Sequence, residues 1–418
     1  MPHFDTTAAG EKNPIGLDRK ATIAVIVCWM FVVFDGYDLI VYGNVIPSLQ
    51  DEWGISASTA GTLGSLAFLG MMIGAVLAGR LSDVVGRKRA VIGCAIVLSL
   101  FTALCALATG PVMFGALRLI AGLGLGGLVP TSNALAAELI TPKWRAAIAT
   151  MMMSGVPIGG SIAALLGIPV IPNWGWQPMF LFALIPLVIL VPLAIKTLPD
   201  RTVTQAGPDH PERGFGALLG TRFRAISIMF ALATVVTLLA WYGLGTWLPK
   251  LMQGEGTDLG SALTFALALN LGAVAGSFIT AWGGVRFGTV PTSVFAALLA
   301  GIALLALLLG PPVALVYVIF VIAGVGTHGT QCLIIAAVAS YYPDHLRGTA
   351  LGWALGVGRI GAVAAPQIGG WLLAAGLGAN SNFILFGASA LVASLLLTVI
   401  WQYFSTGHDT TRTPVLAH

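Results

Sequence analysis

Apolar residues in this chain run for close to twenty positions or more with few or no charges. Such runs are too long for strands and lack the polar stripe of a surface helix, whereas roughly 20 apolar residues in a helix cross ~30 Å of hydrocarbon. Six runs fall at Ala21–Ile46, Thr59–Leu77, Ala90–Ala108, Val112–Leu135, Ala147–Ile171 and Met179–Ile195. Six more fall at Ala225–Leu248, Ser261–Trp282, Val290–Leu309, Pro312–Ala339, Thr349–Ala375 and Phe383–Phe404. A polar stretch with Pro199, Pro208 and Pro211 separates the two sets. The pattern predicts an all-α membrane protein of twelve transmembrane helices in two six-helix halves. Its parts are an N-terminal tail (1–20), a first bundle (21–195), a central linker (196–224), a second bundle (225–404) and a C-terminal tail (405–418). The first run exceeds the 7–15-residue core of a cleavable signal peptide and reads as the first span.

The halves align at a constant displacement of 202 residues, a repeat of the kind that organises whole folds. The string from Ile120 to Gly127 recurs from Ile322 to Gly329, Arg145 maps on Arg347, Gly159 on Gly361 and Pro47 on Pro249. Six spans per copy leave both copies in the same orientation. A pseudo-twofold along the membrane normal, a midplane site between the halves and alternating access are the expected consequences.

Composition closes off the alternatives. Hydrophobic residues make up 57% and charged residues 9% of the 418 positions, where soluble domains carry about 25% charged, so a water-soluble fold is excluded. Basic residues outnumber acidic ones, 20 to 16, but they fall in alternate loops. All but three lie on one predicted side; Lys250 is on the other, and Arg118 and Arg359 sit inside spans. That bias predicts a multi-pass protein of the cell membrane with both termini in the cytoplasm. No loop joins a long basic stripe to aromatics, so nucleic acid is not an expected partner. Cys28, Cys94, Cys105 and Cys332 lie in apolar runs without metal or redox spacing, and neither a disulfide nor a metal site is expected. No nucleotide loop or nucleophile–base constellation points to an enzyme.

Charges within spans are functional candidates, because hydrocarbon tolerates them only beside a cavity or a partner. Asp35 and Asp38, in Phe34-Asp35-Gly36-Tyr37-Asp38, share one helix face at i, i+3. Two like charges so close cannot both stay ionised easily, a situation suited to a proton carrier. The bland alternative is neutralisation of an arginine. Arg118 opens an Arg-x-x-x-Gly-x-Gly-x-Gly string to Gly126 and is a candidate partner for a first-span aspartate. Arg359, in Gly356-Val357-Gly358-Arg359-Ile360-Gly361, has small neighbours and a guanidinium suited to a carboxylate. His328 replaces Gly126 of the first copy and can bond a substrate or relay a proton. Tyr37, Tyr42, Trp241, Tyr242 and Trp353 can stack on an aryl ring or simply pack.

Between the second and third spans runs Gly79-Arg80-Leu81-Ser82-Asp83-Val84-Val85-Gly86-Arg87-Lys88-Arg89. It resembles the signature loop of the major facilitator superfamily. The second copy keeps Gly288 opposite Gly86 but has Val285 opposite Asp83. With the Asp-Gly-x-Asp element of the first span, this loop resembles that of the aromatic acid:proton symporter family. The string from Asp35 to Gly43, followed by Pro47, is most similar to the benzoate-type members. The resemblance implies proton-coupled import of an aromatic carboxylate, benzoate first and 4-hydroxybenzoate or protocatechuate next, by a monomer without cofactor, protons being the coupling ion. It implies proton coupling at Asp35, Asp38 and Arg118, and substrate contacts at Arg359, His328, Tyr37, Tyr42 and Trp353. Gating falls to Gly79, Asp83, Gly86, Arg87, Lys88, Glu138 and Arg145, with Glu138 placed to pair with Arg145. A proton-driven efflux antiporter is the weaker alternative, since Gly155-Val156-Pro157-Ile158-Gly159-Gly160 lacks the Gly-Pro pair of exporters.

Overall fold

The computed structural model describes residues 19–141, 144–200, 215–220 and 223–405. The expected tails and most of the expected linker lie outside that set, as do the side chains of Arg80, Asp83, Asp344 and His345. The described residues are helical almost throughout, without strands.

The first six membrane helices are α1 (Arg19–Trp53), α2 (Ala57–Val85), α3 (Arg87–Leu104), α4 (Pro111–Leu139), α5 (Arg145–Trp174) and α6 (Gln177–Thr197). After a one-turn helix, Phe215–Leu218, come α7 (Arg224–Gly254), α8 (Leu259–Phe287), α9 (Thr289–Ala306), α10 (Val313–Tyr341), α11 (Asp344–Ala374) and α12 (Gly378–Ser405). Eleven of the twelve are long and apolar enough to span a membrane. The twelfth, α11, carries Arg359, Pro366 and Gln367, and these polar and helix-breaking residues dilute its apolar run.

Several helices outrun their apolar stretches. The first continues through Pro47 to Trp53, because a bundle supplies packing beyond the hydrocarbon and tolerates an internal proline whose lost hydrogen bond neighbouring groups replace. In α6 the ladder widens to a π-helical turn at Pro186–Leu190, just where a proline removes an amide donor.

The chain divides into two compact units, one reaching residue 206 and including Gly256–Leu267, the other formed by the remainder. Within each unit the crossings are set by glycine. A β-carbon on Gly159 of α5 would strike the Val33 carbonyl of α1, and one on Gly361 of α11 would strike the Val235 carbonyl of α7. Likewise Gly70 and Gly74 of α2 lie against Leu119 and Leu123 of α4, as Gly272 and Gly276 of α8 lie against Val321 and Val325 of α10. Each pair of contacts is separated by the same 202 residues, so the repeat read in the sequence is a repeat of backbone crossings. Small residues allow this because association in lipid depends on close packing rather than on a hydrophobic drive.

The third helix of each unit begins at a matching glycine. Gly86 has φ +89° and Gly288 φ +96°, a conformation that L side chains rarely adopt. The second loop therefore keeps the turn of the first while Val285 replaces its aspartate.

Candidate functional site

The first unit buries one ion pair. Asp38 on α1 and Arg118 on α4 are each 2% exposed. Arg118 Nη1 donates to both carboxylate oxygens at 2.8 Å, and Nη2 donates to the Asp38 carbonyl oxygen at 3.4 Å. Thr102 Oγ1, on α3, donates to Asp38 Oδ1 at 2.6 Å. Three helices thus converge on one carboxylate, joined by charge-assisted bonds that exceed neutral ones in strength.

Tyr42 closes the arginine from the side, with Arg118 Cζ 5.8 Å from its ring centroid, a cation–π distance. Its hydroxyl donates to the Ala60 carbonyl at 2.5 Å, and the Tyr37 hydroxyl donates to the Met179 carbonyl at 2.7 Å. Both phenols are committed to backbone acceptors on neighbouring helices, leaving only their rings for other contacts. Asp35, one turn before Asp38, is also buried.

The second unit carries none of these three groups at the equivalent positions. At 202 residues on, Ala240, Leu304 and Phe320 stand where Asp38, Thr102 and Arg118 stand in the first. Its polar centre lies elsewhere. His328 on α10 is buried, with its ring 5.2 Å from that of Trp241 on α7 and its Nε2 3.7 Å from Cys332 Sγ. Arg359 on α11 is half-buried between Gly358 and Gly361, which press on Thr234 and Val235 of α7.

Trp353 belongs to a separate cluster. Its Nε1 donates to the Ser227 carbonyl at 3.0 Å, the Ser227 hydroxyl bonds Tyr342 at 2.7 Å and the Leu218 carbonyl at 3.2 Å, and Phe230 packs nearby. The indole therefore helps to fasten the one-turn helix before α7.

Gly79 lies within α2, exposed, with nothing within 4 Å of where a β-carbon would stand. Arg87 pairs with Glu138 of α4, and Lys88 with Asp200 at 3.2 Å. Glu138 thus meets Arg87, a partner its sequence neighbourhood did not suggest; Arg145 is an exposed residue opening α5. Asp83 lies in the last turns of α2.

Two contacts escaped the sequence reading. Thr102 is one polar residue in an apolar run, and only the fold brings it to Asp38. Glu52 accepts a 2.6 Å bond from Trp176 Nε1, inside a stack of Trp53, Phe114, Trp176 and Phe180 rings.

Two bundles of repeated helices, with an ion pair enclosed in one of them, define a carrier-type membrane protein. The chain belongs to the major facilitator superfamily, whose family model matches residues 28–366 and 268–414. It is 61% identical to the gentisate transporter of Corynebacterium glutamicum over 401 residues, 94% of this chain and 90% of that protein. It is 34% identical to the benzoate transport protein of Acinetobacter baylyi, over 90% of this chain and 88% of that one. Among solved structures it shares its fold with a D-xylose–proton symporter, with TM-score 0.74, 18% identity and coverage of 90% of this chain and 97% of that one. These kinships place the chain among membrane transporters and not among enzymes.

Proposed function

We propose that this protein imports an aromatic carboxylate together with protons, by alternating access, as a monomer in the cell membrane with both termini cytoplasmic. The observation that carries the proposal is the Asp38–Arg118 pair bonded to Thr102. A carboxylate neutralised by a fixed cation inside a membrane helix is stable only as a pair. Protonation of Asp38 removes its charge and frees Arg118, so a proton changes the bonding between α1 and α4.

Coupling also answers an energetic need. A potential negative inside opposes entry of a monoanion by about 2.3 kcal/mol per 100 mV. One proton cancels that term, and two make entry potential-driven. Asp35, Asp38 and Arg118 form the coupling set. Arg359 and His328 are the substrate ligands, the former for the carboxylate. The bonds of Tyr37, Tyr42 and Trp353 favour positioning roles over the direct substrate contacts expected from sequence. Gly79, Asp83, Gly86, Arg87, Lys88, Glu138 and Arg145 form the gate at the loop side.

Gentisate is the first substrate to test. The relative with that name shares 61% of its aligned residues with this chain, against 34% for the one named for benzoate, which puts ahead of benzoate an aromatic acid that the sequence reading did not name. Uptake of labelled gentisate and benzoate into proteoliposomes under an inward proton gradient tests the reading. Gradient-dependent accumulation by the unmodified protein, lost in Asp38→Asn, is expected. Accumulation of either acid that ignores the gradient, or that survives Asp38→Asn, overturns proton coupling at Asp38.

A further inference from the structure

Most of the buried threonines whose bonds are described donate to their own helix backbone, Thr330, which reaches the Ser293 carbonyl at 3.5 Å, being an exception. Thr131, Thr234, Thr237, Thr280 and Thr327 each donate to the carbonyl four residues back, at 2.6–2.7 Å, as hydroxyls in apolar helices generally do. Thr102 is fully buried like them, yet its hydroxyl donates across to Asp38 Oδ1 on another helix. Its fate in the repeat is also informative. In the second unit the threonine, the aspartate and the arginine are replaced together, by Leu304, Ala240 and Phe320. The hydroxyl is present where the ion pair is present and absent where it is absent.

We infer that Thr102 is a positioning residue for proton loading at Asp38: its hydroxyl holds the carboxylate on Arg118 while Asp38 is ionised, and turns to accept from the carboxyl once the proton arrives. This deepens the proton-coupling reading and rests on it. A hydroxyl suits the task because it has one donor and two acceptor sites and rotates about one bond. With the carboxylate charged, Thr102 gives its hydrogen to Oδ1. When the proton from the aqueous side binds the carboxyl, that group becomes the donor, and the Thr102 hydrogen rotates towards the Leu98 carbonyl, four residues back on α3. Thr102 and the Asp38 carboxyl thus keep their mutual bond in either state, which in a dehydrated site avoids the cost of a buried orphan at this hydroxyl.

Other ionisable groups around Asp38 set the background. Arg118 faces it from α4, Cys105 from the turn after α3, and Asp35, Tyr37 and Tyr42 share α1 with it. Among the described residues, α2, α5 and α6 bring no ionisable side chain to this level, their charges lying at helix ends. Thr102 itself carries no charge, and removing it leaves net charge untouched.

The test is the pH profile of gentisate uptake in proteoliposomes, each variant normalised to its own maximum. A bond donated to a charged acceptor is about twice as strong as a neutral one. Losing both bonds in Thr102→Val should thus penalise the ionised state more and move the midpoint to higher pH, by about one unit. Thr102→Ser, which keeps the hydroxyl, should restore it. Should the valine variant fail to insert, Thr102→Ala is read in the same way, with gradient-independent gentisate exchange reporting that the carrier is folded. An unmoved midpoint, a midpoint moved to lower pH, or a lower maximal rate with an unchanged profile overturns the inference and leaves proton coupling standing, provided that Asp38→Asn abolishes accumulation. Accumulation that persists in Asp38→Asn overturns both together.

Discussion

Gly159 packs its α-carbon against the Val33 carbonyl oxygen, with no room for a methyl group between α5 and α1. Because the atom in the way belongs to backbone, relief requires one helix to shift. Gly159→Ala is expected to destabilise the protein by at least ~1–3 kcal/mol, and Gly361→Ala, against Val235, by a similar amount. Gly352, on α11, has nothing within 4 Å of where a β-carbon would stand, and Gly352→Ala should be neutral or stabilising, by up to ~1 kcal/mol. Thermal unfolding in detergent, followed by the monodisperse fraction, separates the three.

The buried pair makes a different demand. Asp38→Ala strands the Arg118 charge among apolar helices, a loss of ~3–5 kcal/mol for a broken buried pair. Adding Arg118→Met should restore most of the melting temperature without restoring gradient-driven uptake. Stability and transport will then separate in one double-mutant series.

By contrast, Arg87 and Glu138 are both part-exposed, at 27% and 33%, and such pairs contribute about 0–1 kcal/mol. Glu138→Gln should leave the melting temperature nearly unchanged while altering uptake rate, and added salt should reproduce part of the effect in the unmodified protein. A large loss of stability with unaltered uptake would make the contact structural and remove it from the gate.

Outside the spans, Asp258 caps the start of α8. Its Oδ1 accepts from the Ser261 hydroxyl at 2.6 Å and its Oδ2 from the Ser261 amide at 3.0 Å. These bonds, the hydroxyl first, hold its carboxyl below the ordinary value of 3.8. A depressed folded-state value means that the cap is intact above pH 3.8 and is lost as pH falls through the lower folded value. The Ser261 amide should therefore exchange more slowly than its intrinsic rate at neutral pH and lose that protection only in strong acid. In Asp258→Ala that protection should be missing throughout, with no added loss in that window.

The twelve spans and the repeat were legible because hydrocarbon leaves few options: a run of apolar residues must be a helix, and glycines that recur at one spacing mark places where helices touch. Asp35, Asp38 and Arg118 stood out for the same reason, as charges where charges are costly. The bonds made by those residues were not legible. Thr102 carries no spacing relation to Asp38, being 64 residues away, and Glu138 lies 51 residues from Arg87. Helix ends also resisted, since Pro47 sits inside α1: a proline read as a terminus can persist within a helix when the bundle supplies the missing bond. For Trp353 the sequence left stacking and packing open, and its bond to Ser227 was not legible there.

The division between repeated crossings and unrepeated charges has a consequence for how the gene can vary. A scan of all single substitutions should trace two superimposable tracks of glycine intolerance, 202 codons apart, recording the duplicated architecture. Over them will lie a single unduplicated track at Asp38, Thr102 and Arg118, whose counterparts Ala240, Leu304 and Phe320 accept other apolar residues. Two kinds of constraint would then be read from one map, one belonging to how the helices touch and the other to what one half alone carries.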